Sequence, residues 1–164
     1  MEASIAHHAC RPPGALLDDP YNLTRFVLAQ EHIYARVLAE LATGRKRSHW
    51  MWFIFPQLQG LGSSATARAF AISGLEEARA YLAHPLLGER LRECTQRVNG
   101  LKALGIGEIL GYPDDLKFRS CMTLFAHAAA PAEELFRAAL RKYCAGEEDP
   151  LTRALLISAS GTSV

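Results

Sequence analysis

Apolar side chains return every three or four positions along this chain, and proline or glycine cuts the pattern at short intervals. That spacing places one face of a helix against a core, whereas a half-buried strand would alternate. The stripe Leu23, Phe26, Val27, Ile33, Tyr34, Val37, Leu38 and Leu41 predicts a helix over residues 20–42, opened by Asp19-Pro20 and stopped at Gly44. A short helix is expected over residues 65–72, after the glycine-rich bend at 60–64. Ser73-Gly74-Leu75-Glu76 has the form of a capping box. Pro85 opens a helix through Leu87, Leu91, Cys94 and Val98, and Gly105 and Gly107 precede a short turn at 108–110. Asp114-Asp115 opens a helix of about 15 residues, and Pro131 and Asp149-Pro150 open two more. The fold class is all-α, with about seven helices in one compact domain over residues 19–157. Residues 1–18 are expected to form a flexible arm and residues 158–164 a frayed tail.

The run Trp50-Met51-Trp52-Phe53-Ile54-Phe55 interrupts this scheme. It is too short for an ordinary buried helix, lacks a polar face and is stopped by Pro56, so a short extended segment buried on both sides is expected.

Composition narrows the function. With 164 residues, 49% hydrophobic and 21% charged, the chain suits one globular domain without disulfide staples. Eighteen basic against 17 acidic residues give a formal charge of +1, which argues against a general nucleic-acid or membrane-surface binder. The chain contains no apolar run long enough to span a membrane and no signal-peptide pattern at its start, so a cytoplasmic location is expected. Cys10, Cys94, Cys121 and Cys144 lack metal-ligand spacing, and the six histidines complete no zinc pattern. No metal or cofactor is expected.

Residues 45–62 carry the densest set of chemically useful groups. Arg45, Lys46 and Arg47 can neutralise phosphate, and Trp50 or Trp52 can stack on a flat ring. Gly60, Gly62 and Ser63 let backbone approach a ligand closely, with Ser48 and Gln57 as further polar contacts and His49 as a group titrating near neutrality. A second group lies at the start of the following long helix, where Asp115 and Lys117 can act in acid/base chemistry and Ser120 and Thr123 share one face. Structural readings stand beside these. The aromatic run can be core filling, the basic trio can complement a helix dipole, and Asp114-Asp115 can be caps.

The stretches Asp19-Pro20-Tyr21-Asn22-Leu23, Gly44 to Gln57 (GRKRSHWMWFIFPQ), Gly111-Tyr112-Pro113-Asp114-Asp115-Leu116-Lys117, Met122-Thr123-Leu124-Phe125 and Asp149-Pro150 closely resemble domain-of-unknown-function family 1810, bacterial proteins sometimes labelled calpastatin. That resemblance implies a mainly helical fold and no settled activity; nothing in the chain is similar to a protease-inhibitor repeat. A more limited and rearranged resemblance, through Ala139-Leu140-Arg141-Lys142-Tyr143 and Asp149-Pro150-Leu151, is to the NADAR family, which implies ADP-ribose or NAD-linked chemistry.

Together these features suggest a protein for a nucleotide-like or phosphorylated small molecule. A hydrolase of an ADP-ribose-type N-glycosidic bond is the enzymatic form, with Asp115, His49 and Lys117 as catalytic groups. The alternative is a non-catalytic helical interaction module.

Overall fold

The computed structural model describes residues 18–161, and those residues form ten helices and no strand. They are α1 (Thr24–Gln30), α2 (Tyr34–Ala42), α3 (Met51–Ile54), α4 (Ala65–Ala69) and α5 (Leu75–Ala83), followed by α6 (Leu87–Gly100), α7 (Ile106–Leu110), α8 (Asp114–Ala128), α9 (Leu135–Cys144) and α10 (Pro150–Ser160). The expected arm at 1–17 and the last residues, 162–164, lie outside the described residues.

The all-α expectation holds, but the number of helices rises from about seven to ten for three local reasons. First, the helix expected over 20–42 is two. Glu31 N–H bonds to the Leu28 carbonyl and Ile33 N–H to the Gln30 carbonyl, so the chain tightens into three-residue turns between α1 and α2. The first helix also starts at Thr24 rather than at residue 20, with Leu23 at its cap position; the Asp19 carboxylate, lying upstream, accepts from the backbone N–H groups of Leu23 (2.7 Å) and Thr24 (3.0 Å). Second, the aromatic run is not extended. Ile54 and Phe55 bond back to the Trp50 and Met51 carbonyls, which makes α3 a single helical turn. The turn buries Trp50, Met51, Ile54 and Phe55 while leaving Trp52 and Phe53 half-buried. Third, the turn near residue 108 is a helix, α7, whose Glu108 carboxylate reaches back to the Gly105 N–H.

Two further corrections are smaller. The acid that reaches back at α5 is Glu77, which accepts from Ser73 N–H at 2.7 Å; Glu76 instead pairs with Arg79 in solvent. The end of the chain is helical through Ser160 rather than frayed from 158.

Helix α8 is the spine. Nine of its residues are buried, among them Phe118, Met122, Leu124 and Phe125, and α5, α7, α9 and α10 pack around it. Edge-to-face rings tie the layers, with Phe55 against Phe118 at 5.1 Å and Phe26 against Tyr81 at 5.1 Å. Cys94 and Cys121 are free and buried in this core, where desolvation pushes the Cys94 thiol up to about 12 and the Cys121 thiol well above its ordinary value. Both stay protonated and unreactive.

The loop between α2 and α3 is held by one buried carboxylate. Glu40 Oε2 accepts from Arg47 N–H (2.8 Å), Ser48 N–H (3.2 Å) and the Trp50 indole N–H (2.8 Å), and Oε1 accepts from the Ser48 hydroxyl (2.5 Å). Burial raises the pKa of this carboxyl, but those four donors outweigh it and hold the group at about 2 against an ordinary 4.5. Because the folded value lies below the unfolded one, the stabilisation is present above pH 4.5 and is lost as pH falls toward 2. Glu40→Gln removes the charge and turns one acceptor into a donor, so urea unfolding is expected to show a loss of about 2–4 kcal/mol at pH 7. The same variant should lose less stability than the wild type between pH 5 and pH 2, and equal slopes in that window would assign the acid sensitivity to another group.

Candidate functional site

The chain after α3 runs as a long loop that returns to the core. Ile72 N–H bonds to the Gln57 carbonyl and Gln59 N–H to the Ile72 carbonyl, each at 2.8 Å, so Leu58 and Ile72 form an isolated parallel bridge. Arg25 clamps the returning end, donating to the carbonyls of Ala69 (2.9 Å) and Ala71 (2.8 Å) and to Glu77 (2.7 Å). Between these anchors the glycine-rich bend packs on α4. A Cβ at Gly62 would stand 2.5 Å from the Ala67 Cβ, so only glycine permits that approach. Ser64 caps α4 by accepting from the Ala67 N–H.

This loop, α3 and the starts of α8 and α10 enclose a cleft of about 570 Å³. Trp52, Gln57, Gly62 and Ser63 line it from the aromatic stretch, and Lys117 and Ser120 line it from α8. The two sequence-distant groups therefore share a concavity. Its remaining walls, which the sequence patterns did not single out, include Leu61, Ser64, Pro113, Leu116, Asp149 and Leu151.

The polar groups of the cleft are held in place. Lys117 Nζ donates to Asp114 Oδ1 at 3.1 Å and lies 4.7 Å from the centroid of the Trp52 ring. Asp114 Oδ2 binds Lys46 Nζ at 2.8 Å, and Lys46 in turn lies 5.3 Å from the Trp50 ring centroid. One carboxylate thus joins the basic loop to α8, through two lysines that each cover an indole. Ser120 donates to the Leu116 carbonyl at 3.2 Å, and Asp149 accepts from the N–H and hydroxyl of Thr152 as the cap of α10. Thr123, on the same helix as Ser120, accepts the Asp149 N–H at 2.8 Å and so fixes the entry to α10.

Other expected site residues lie elsewhere. Trp50 is 1% exposed and its N–H is spent on Glu40, so it is core and not a stacking surface. Ser48 is bound to the same carboxylate. Arg45 and Lys46 line a separate concavity beside Gly107 and Gly111, with the Lys46 side chain only 8% exposed. Arg47 and His49 are exposed, and neither lines the cleft. Gly60 lies outside it as well, beside Leu155, with a φ of +101° that favours glycine. Asp115 turns away from the cleft, its Oδ1 accepting from Leu116 N–H and its Oδ2 lying toward Gly107. The expected pairing of Asp115 with His49 is therefore not assembled in the cleft; Asp114 takes the position facing Lys117.

Glu40 and Asp114 each left a signal in the sequence. Glu40 falls on the apolar stripe of α2 beside Val37 and Leu41, where a carboxylate requires internal donors. Asp114 stands three residues before Lys117, the helical spacing for a side-chain pair, whereas Asp115 stands two before it.

Among the described residues no group of three or more His, Cys, Asp or Glu side chains is arranged to hold a metal ion. No helix of the described residues is long and apolar enough to cross a membrane.

The chain is similar over its helical body to proteins of one family. A solved structure, the conserved hypothetical protein Rv1873 from Mycobacterium tuberculosis, is 57% identical, with the likeness covering 85% of this chain and 99% of that one at a TM-score of 0.83. No curated protein matches the chain significantly. The family model described as protein of unknown function (DUF1810) matches residues 20–156, and the chain belongs to that family.

Proposed function

We propose that the cleft between α3, α8 and α10 binds a nucleotide-like or otherwise phosphorylated small molecule, with Trp52 as the surface for a flat ring and Lys117 as the partner of an anion. The observation that carries this reading is the convergence of one half-buried indole and one ammonium, 4.7 Å apart, on the same open concavity. Gln57, Ser63 and Ser64 supply amide and hydroxyl groups of the kind that select a base edge or a ribose. The limited likeness to the NADAR family makes ADP-ribose one ligand to include. Binding stands ahead of hydrolysis in this reading, since Asp115 and His49 are not in the cleft. A glycosidic cleavage there would use Asp149 as the carboxylate beside the ring, and this acid already serves as a helix cap.

A second reading has its own observation. Leu116 and Leu151, at the rim of the cleft, are 52% and 67% exposed, and neighbouring Tyr112 is 83% exposed. An apolar rim of that kind suits a macromolecular partner and a non-catalytic module.

Ligand titration separates the two. Because Trp50 is sealed, any change in tryptophan emission on adding ligand reports Trp52. A panel of nucleosides, nucleoside monophosphates and ADP-ribose is expected to include members that give saturable quenching and raise the melting temperature, and Trp52→Leu should abolish the quenching while leaving the unliganded fold intact. No response to any member at millimolar concentration overturns the binding reading. In the module reading, Leu151→Glu is instead expected to change sedimentation or partner association, with ligand response absent.

A further inference from the structure

We infer that the ligand of the Trp52 cleft carries one anionic group next to its ring, as a phosphomonoester does, and not a diphosphate. This rests on the binding reading above and narrows it to a substrate class.

Lys117 is the cation that lines the cleft and Asp149 the acid that lines it, so the lining sums to zero. Lys117 is itself already shared with Asp114, which also binds Lys46, and that trio sums to a single positive charge. The other cations of the basic loop are out of play, because Arg45 faces the concavity beside Gly107 and Gly111 and Arg47 does not line the cleft. Lys46 is sealed behind its bond to Asp114, with its side chain 8% exposed. A first phosphate can replace or share the Asp114 contact of Lys117, a charge-assisted bond in a partly enclosed site. A second phosphate meets no further cation in the lining, since Arg68 beside it is exposed and already donates to the Ser63 carbonyl at 2.6 Å, and it shares the cleft with the Asp149 carboxylate, so its desolvation is poorly compensated.

The experiment uses the whole chain and three probes sharing one ring: adenosine, adenosine monophosphate and ADP-ribose. Affinities are read from Trp52 quenching, with melting temperature as a second readout. The monophosphate is expected to bind about tenfold more tightly than adenosine or ADP-ribose, the gain of one charge-assisted hydrogen bond. Lys117→Gln should bring the monophosphate down to the adenosine level while leaving adenosine within about twofold, and Lys117→Arg should keep most of the gain. Arg45→Gln with Arg47→Gln should leave the order of the three unchanged.

ADP-ribose binding more tightly than the monophosphate overturns the inference, as does equal affinity for adenosine and the monophosphate or an intact gain in Lys117→Gln. Those results differ from failure of the parent reading, in which none of the three probes moves the Trp52 signal and both proposals fall.

Discussion

A carboxylate on the apolar face of a helix has to find donors or take up a proton, and Glu40 finds four donors. Two come from consecutive backbone N–H groups, one from the Ser48 hydroxyl and one from the Trp50 indole. The consequence reaches beyond α2. The loop carrying Arg45, Lys46 and Arg47 cannot wander, because its backbone is bonded inward at Arg47 and Ser48 and at Lys46, whose N–H donates to the Ile109 carbonyl at 2.7 Å. Trp50 is drawn into the core by its indole nitrogen, and α3 starts from that point. Everything the cleft needs from the aromatic stretch, Trp52 first, takes its position from this anchor.

Asp114 does the same work between elements. It stands at the start of α8, where a carboxylate also favours the helix dipole, and bridges Lys46 of the loop to Lys117 of its own helix. Removing it would leave two ammonium groups facing each other over two indoles. The bridge is partly buried, with side-chain exposures of 8% for Lys46 and 16% for Asp114, so solvent screens it less than the exposed Arg141–Glu134 pair at 57% each. Glu40 and Asp114 are thus two successive fixings of one loop, the first to α2 and the second to α8. The cleft opens where the loop finishes.

The sequence was most legible where local chemistry decides the outcome. Asp149 is a cap as its Asp-Pro pair suggests, and the stripes of α2, α6 and α9 face the core. It was less legible where a tertiary contact overrides local pattern. Nothing in the spacing of residues 20–42 marks the break after Gln30; the burial of its amide against the Phe53 carbonyl at 2.6 Å accompanies that break. The aromatic run is a single turn rather than a strand because residues four apart, Trp50 with Ile54 and Met51 with Phe55, are jointly buried and bonded. The family likeness, carried by stretches between Asp19 and Pro150, agrees with the match over residues 20–156. For the candidate site, residue type points to two stretches that share the cleft, and Trp52, Gln57, Gly62, Ser63, Lys117 and Ser120 among their members line it. Residue type does not show that Lys46, Ser48, Trp50 and Asp114 are consumed in holding the frame, because their partners Glu40 and Lys117 meet them only in the folded chain.

The groups that do face the cleft share a property that matters for binding. Ser64 accepts a backbone N–H, which leaves its hydroxyl proton to give away; Ser120 donates to a carbonyl, which leaves its lone pairs to accept. Lys117 is held by Asp114 and rests against Trp52. Asp149 is fixed from both sides, its carboxylate by Thr152 and its backbone N–H by Thr123. A ligand entering such a cleft meets donors, acceptors and an ammonium that have already given up much of their rotational freedom, so less ordering is charged against its affinity. Gln57 and Ser63, whose side chains make no such bond among the described residues, are the adaptable contacts. The cleft thus has fixed groups at its charged end and adaptable ones at its neutral end, the arrangement that the proposed ligand, a polar ring with an attached anion, would use. The contact of Lys117 with Trp52 also ties α8 to α3, so it steadies the frame whichever ligand or partner the cleft receives.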